Sequence, residues 1–535
     1  MTDLILHNAN IHTVDAKRPL VEAVAVDRGI IVAVGSDNNV LPLAKEGTEI
    51  IDLNGKSVTP GLVDAHVHFE RLANTFLQTD LLGASSLEEA VQRIGEAAAD
   101  AEPGEWVRGW GWASEAWVDP SLPTAADLDR VAPHCPVFID HRAFLHGAWV
   151  NSRALEISGV NAQTPDPEGG RIERDEQGNP IGVLSEQAVA LVSRHIPPPD
   201  TAKLASAMFK AQEHCWQKGL VGLHDFDGEA SFKALQWLHR QGSLGMRIVK
   251  NIPVYLLEHA IAVGLQSGFG DDFLRVGGIK IFADGTLGMR LAFMMEPYQD
   301  DPNNYGLATT DKALMKEQAS LASEHGLSLT IHAIGDRAVH DVLDVLEAVR
   351  EEEAQRGISP RQLRHRIEHV QVIHPADKER LAQLHVVASM NPIHVLSDME
   401  AVDQLWGERG RYTHAYRDMM ATGAVVAFGS DAPFITIDPW QGIMAAVMRR
   451  RPGSPPGTAW YPEQKLTLAE AIHGFTKATA ITSGQEQRQG SVSVGKVADM
   501  TIFDRDIFAL DPDSYPEVTV AGTIVNGEFK YRAFD

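Results

Sequence analysis

Between residues 3 and 57, apolar and polar positions alternate over runs too short for helices. The runs are Leu4-Ile5-Leu6, Ala9 to Val14, Ala23 to Val26, Ile30 to Val34 and Glu49 to Leu53. Turn-forming Asp27-Arg28-Gly29 and Asn54-Gly55 separate them, a pattern that predicts short antiparallel strands. The same signature returns at Val497 to Phe503 and at Val518 to Val525, where Asn526-Gly527 supplies a hairpin turn. Two β-rich ends around a central domain can share one sheet, because chain ends commonly lie close together.

The middle of the chain changes period. Apolar runs fit strands at Val58 to His68, Leu220 to Asp227, Met246 to Tyr255, Val276 to Asp284, Leu327 to Asp336, His365 to Gln371, Val386 to His394 and Gly423 to Asp431. Between them, three- and four-residue spacing marks helices, as over Asp311 to His325, Asp336 to Glu353 and Ala376 to His385. Eight strand-helix units favour a closed barrel over an open sheet. The expected fold is therefore α/β: a (β/α)8 TIM-like barrel over residues 58–484, with a small β-sandwich domain built from both chain termini, 1–57 and 485–535. An insertion at about 70–215 follows the first strand; it carries a helix (Leu87 to Ala101), a Trp-rich run (Trp106, Trp110, Trp112, Trp117) and a Pro/Gly-rich region near Thr164 to Gly182.

The ends of these strands carry ionisable side chains in apolar surroundings. His66 and His68 are two apart, so on a strand both imidazoles leave one face, a natural half of a divalent-metal site. Lys280 lies in the fourth strand, His332 in the fifth, His369 in the sixth and Asp431 at the end of the eighth. Any one of them alone reads as a satisfied core residue, and Lys280 could simply pair with Asp284. Six on five strands of one barrel point to a site at the C-terminal ends, where barrels place their chemistry.

Composition narrows the partners. With 47 Lys+Arg against 72 Asp+Glu the net charge is −25, which argues against nucleic acid or an anionic membrane and for a small-molecule substrate. The two cysteines, Cys135 and Cys215, are too few for a disulfide framework or a thiolate metal site. The beginning of the chain lacks a basic, then apolar, signal pattern, and no run of ~18 apolar residues suggests a membrane span. A cytoplasmic protein is expected, with homo-oligomerisation left open.

The order His66-X-His68, Lys280, His332, His369, Asp431 resembles that of the amidohydrolase superfamily, and the flanking sequence resembles its amidohydrolase-3, YtcJ-like branch. The likeness runs over nearly the whole chain, including Gly490 to Met500. It implies two divalent metal ions, with His66, His68 and Asp431 on one, His332 and His369 on the other, and a carboxylated Lys280 bridging them. Zinc suits imidazole and carboxylate ligands, with manganese, iron, nickel or cobalt open. It further implies hydrolysis of a carbon-nitrogen bond (non-peptide amide, N-acyl, N-formyl, carbamate or cyclic amide) by metal-activated hydroxide, with Asp431 as general base.

Two other readings stand beside this. A mononuclear deaminase of the superfamily typically has Glu three residues after the fifth-strand His, where this chain has Gly335. A non-catalytic scaffold would have lost its ligands. For substrate contacts the candidates are Trp110 and Trp112 as an apolar wall, His146, which with Asn151 matches a family pattern, and Arg290 for an acidic group.

Overall fold

The computed structural model describes residues 2–114, 117–141, 147–167 and 169–534. The chain divides into two units, Met1–Phe69 with Ala211–Asp535, and Glu70–Lys210. Among the described residues, no helix is long and apolar enough to cross a membrane.

In the first unit eight parallel strands follow one another in chain order: Leu62–Val67, Leu220–Asp225, Arg247–Pro253, Leu274–Phe282, Ser328–Ala333, Arg366–His369, Val387–Met390 and Val426–Phe428. Each falls within or at the edge of a predicted run. The second and fifth strands are buried at every position, as parallel strands covered on both faces must be. Helices Lys312–Glu324 and Asp336–Gln355 flank the fifth; the Asp311 carboxylate caps the first of them by accepting from the Ala313 and Leu314 N–H groups.

The ring is joined where the eighth strand ends. Val67 bridges Ala432 in parallel, the Asp431 N–H donates to the His66 carbonyl at 2.8 Å, and the His68 N–H donates to the Ala432 carbonyl at 2.9 Å. Only glycine fits at 429, because a Cβ there would lie 2.5 Å from the His66 nitrogen. Asp64 pins the seam from the other side: its carboxylate accepts from the His66 N–H at 3.0 Å and the Ser430 N–H at 2.9 Å.

The single strand predicted over 58–68 is two strands. Ser57–Pro60 pairs antiparallel with Met500–Phe503 and parallel with Asn10–His12, so Val58 serves the terminal sheet, and only Leu62–Val67 enters the barrel. The break comes at Pro60-Gly61, where proline has no N–H to donate and a Cβ on Gly61 would sit 2.5 Å from the Val221 side chain.

Strands from both ends share a six-stranded sheet in the order Glu528–Arg532, Val520–Val525, Met500–Phe503, Ser57–Pro60, Asn10–His12, Leu20–Val21. A four-stranded sheet, Ile30–Gly35, Ala23–Asp27, Leu4–His7 and Glu49–Asp52, packs with it around Leu6, Ile11, Val24, Met500 and Ile524. The pairing is not wholly antiparallel as the alternation suggested, since Leu4–His7 runs parallel to Glu49–Asp52. Period two reports which face is buried and is silent on strand direction. Asn526 and Gly527 both take positive φ, 54° and 80°, as a two-residue hairpin turn demands.

The second unit is a folded body with its own six-stranded mixed sheet, which the sequence did not predict. Its order is Gly170–Arg174, Pro180–Glu186, Gly147–Val150, Val137–His141, Val107–Trp112, Thr79–Asp80. Helix Leu87–Ala99, capped by Ser86, covers a core that includes Val91, Ile94, Trp112, Ile139 and Trp149. The Pro/Gly-rich region supplies a hairpin, Gly170–Arg174 with Pro180–Glu186, rather than a loop.

Candidate active site

At the C-terminal ends of the barrel strands, His66 and His68 leave the first strand toward Asp431. The two Nε2 atoms lie 3.6 and 3.5 Å from the Asp431 Oδ1, and the three residues can offer ligand atoms all within 4.8 Å of one another. Asp431 reaches this point through a left-handed backbone, φ 63°, which aspartate tolerates better than most residues. His369, at the end of the sixth strand, also has positive φ, 72°. Its ring centre lies 4.9 Å from that of His66 and 4.6 Å from that of His332.

Which nitrogen faces inward is fixed from behind. His66 Nδ1 donates to Glu368 Oε2 at 2.7 Å, His68 Nδ1 to Asp227 Oδ1 at 2.9 Å, and His369 Nδ1 to Asn391 Oδ1 at 2.7 Å. These acceptors leave each Nε2 with its lone pair free, the arrangement expected around metal-binding histidines. Burial pushes the imidazoles of His66, His332 and His369 well below their ordinary pKa, so they stay neutral.

Lys280 is buried in the fourth strand with its amine 4.5 Å above the Phe226 ring and 4.7 Å from that of Phe282. His66 stacks on the same Phe226 ring at 3.9 Å, which sets Lys280 and the first-strand imidazole against one aromatic surface. Burial lowers the Lys280 pKa to about 8, with Glu368 and Asp431 opposing the shift. The Asp284 pairing weighed from sequence is taken up otherwise: its carboxylate accepts from the N–H groups of Phe293, Ile334 and Gly335 at 2.8–3.0 Å.

This donor set fits a divalent cation. His332 Nε2, His394 Nε2 and Asp431 Oδ1 are buried without a hydrogen bond, and buried polar atoms normally have a partner. Asn391 offers a test of the orienting groups, since its amide nitrogen is itself tied to the Gly429 carbonyl at 3.2 Å. Asn391→Ala is expected to weaken metal binding ~10–100-fold, read by competition with a chromogenic chelator. Unchanged affinity would show that His369 needs no such support.

Trp112 is buried in the insert's own core, its N–H donating to the Ile139 carbonyl at 3.1 Å and its ring near those of Trp117 and Trp149. Trp112→Ala is therefore expected to cost ~3–5 kcal/mol, seen as a lowered melting temperature of the insert. Trp110 is half-buried on the same strand. Arg290 is exposed and paired with Asp300 at 2.5 Å. Asn151 is wholly buried, accepting from Val137 and Ala154 N–H groups and donating to Cys135 and Ala132 carbonyls, which makes it a scaffold residue. His146 lies outside the described residues.

Sequence reasoning missed Asp64, Phe226, Asp227, Glu368, Asn391 and His394. Asp64 and Glu368 had a readable signal, because they lie within two residues of His66 and His369, whereas Phe226, Asp227, Asn391 and His394 follow strands that carried no candidate.

A barrel that gathers imidazoles, a lysine and a carboxylate at the C-terminal ends of its strands has the build of a metal-dependent enzyme. The sequence profile of the amidohydrolase family matches residues 49–531, and the chain belongs to that family. It is 33% identical to a protein of Bacillus subtilis (strain 168) described as putative amidohydrolase YtcJ, over 99% of each chain. It is 28% identical to the N-substituted formamide deformylase of Arthrobacter pascens, again over 99% of each. The crystal structure of an uncharacterized metal-dependent hydrolase from Pyrococcus furiosus superposes with a TM-score of 0.78 at 28% identity, covering 94% of this chain and 99% of that one.

Proposed function

We propose that the protein is a two-metal hydrolase that cleaves a carbon-nitrogen bond of a small molecule: an N-formyl, N-acyl, carbamate or cyclic amide bond. The observation that carries this reading is the convergence of the His66 and His68 Nε2 atoms on Asp431, with the His332 and His369 rings and buried Lys280 beside them. His66, His68 and Asp431 would hold one ion, His332 and His369 the other, and Lys280, as a carbamate, both. Zinc is the metal that this donor set suits best.

Bound ions of this kind acidify a water molecule and polarise a carbonyl oxygen. The chain's own part is proton traffic and orientation. Asp431 takes the proton of the attacking water and returns it to the leaving nitrogen, so a C–O bond forms as the C–N bond breaks, giving an acid and an amine. Glu368, Asp227 and Asn391 keep the imidazoles aimed while this happens.

Gly335 favours this reading over a deaminase. A Cβ at that position would lie 2.0 Å from the Phe293 carbonyl oxygen, so the loop has no room for the glutamate a deaminase uses there. The relative described as a formamide deformylase puts N-formyl amines first among substrates to try. Both cysteines are free and buried, which suits the reducing cytoplasm.

The test is turnover of N-formyl amines, N-acyl amino acids, carbamates, cyclic ureides and aminated heterocycles by metal-loaded protein. Release of an acid and an amine supports the proposal. Ammonia from a heterocycle alone would make the protein a deaminase, and no turnover with no bound metal would make it a scaffold.

A further inference from the structure

The barrel holds a cavity toward the end opposite the candidate metal site. Of about 220 Å³, it is lined by the N-terminal parts of the fourth, fifth and sixth strands and by the turn at Thr482 to Gly484. Four arginines face it, Arg275, Arg361, Arg364 and Arg366, and the lining includes no aspartate or glutamate. In a chain of net charge −25, this concentration of cations needs a counter-charge.

Part of it is met from behind the wall. Arg364 Nη2 pairs with Glu486 at 2.5 Å, and Arg366 Nε pairs with Glu368 at 2.7 Å. Two guanidinium nitrogens of these arginines have no hydrogen-bond partner. Arg366 is fully buried; its Nη1 donates to the Ala65 carbonyl and to His224 Nδ1, while its Nη2 has no hydrogen-bond partner. Arg364 Nε is likewise buried without one. Arg361 stands at the exposed rim with no ion pair among the described residues.

We infer that this cavity binds a small oxyanion, a phosphate or phosphate ester, among the guanidinium groups of Arg275, Arg364 and Arg366 that line it, with Arg361 at the mouth. Planar guanidinium groups match the oxygens of such ions better than any other side chain. The cavity also communicates with the metal end. The guanidinium that would hold the anion holds Glu368 Oε1, and Glu368 Oε2 orients His66. Anion affinity and metal affinity should therefore each depend on whether the other ligand is bound, by the same factor.

The experiment is calorimetric titration of the metal-loaded protein with inorganic phosphate and, separately, with glycerol phosphate. Saturable binding of one equivalent is expected, weakened about tenfold in Arg361→Gln/Arg364→Gln and retained at altered affinity after chelation of the metal. Tighter binding of the ester would identify a phosphorylated metabolite, and tighter binding of phosphate the free ion. Should the double variant fail to fold, Arg361→Gln alone, on the exposed rim, must still weaken binding. The proposal is overturned by no saturable binding at 10 mM of either anion, by equal affinity in the variants, or by binding that vanishes with the metal, which would put the anion at the metal centre. A failure of the hydrolase reading would leave the titration unaffected, because it reads binding and not turnover.

Discussion

Lys280→Ala is expected to lose metal and activity together, a larger effect than the ~10–100-fold that removal of an orienting partner costs. The side chain is buried against Phe226 and Phe282, so alanine leaves a cavity at the level of the imidazoles rather than a new contact. If Lys280 acts as a carbamate, a short carboxylic acid fits the vacated space and offers the same pair of oxygens. Adding such an acid with metal should therefore restore part of the activity. Full activity without it, or an unmodified Lys280 in a two-metal crystal structure, would sink the bridging role.

Asp431→Asn is expected to behave differently. The amide keeps the shape of the side chain and one ligand oxygen but cannot accept a proton, and a positioned general base is typically worth ~10²–10⁴ in rate. Metal content should change little while kcat falls by that factor. A variant that keeps more than about a tenth of the wild-type rate would remove Asp431 from the proton path. Measured side by side, the two variants separate holding the metal from moving the proton.

The eight barrel strands were legible because a parallel strand buried on both faces writes a near-continuous apolar run, as in Leu220-Val221-Gly222-Leu223. What escaped was information held between distant segments. The division of 57–67 at Gly61 depends on Val221 and Met500–Phe503, and nothing in the local period announces it. The insert's sheet was hidden for a related reason: its strands mix parallel and antiparallel neighbours and are broken by Gly111 and Gly182, both at positive φ. At the site, the candidate ligands stood out as ionisable residues in apolar strands. Most of their partners did not, because Asp227 reads as one acid among 72 Asp+Glu until His68, 159 residues away, is seen to donate to it.

The seam between Ser57–Pro60 and Met500–Phe503 also sets an order of events during synthesis. Thr501, whose hydroxyl receives the Leu62 N–H, is made 439 residues after it, roughly 20–90 s later at ordinary elongation rates. Until then the segment that carries His66 and His68 lacks its Met500–Phe503 neighbour, and Ser57–Pro60 has only Asn10–His12 beside it. Nascent chains of this protein should therefore depend on chaperones through most of translation, and ribosomes stalled before residue 500 should release chains that aggregate rather than a working barrel.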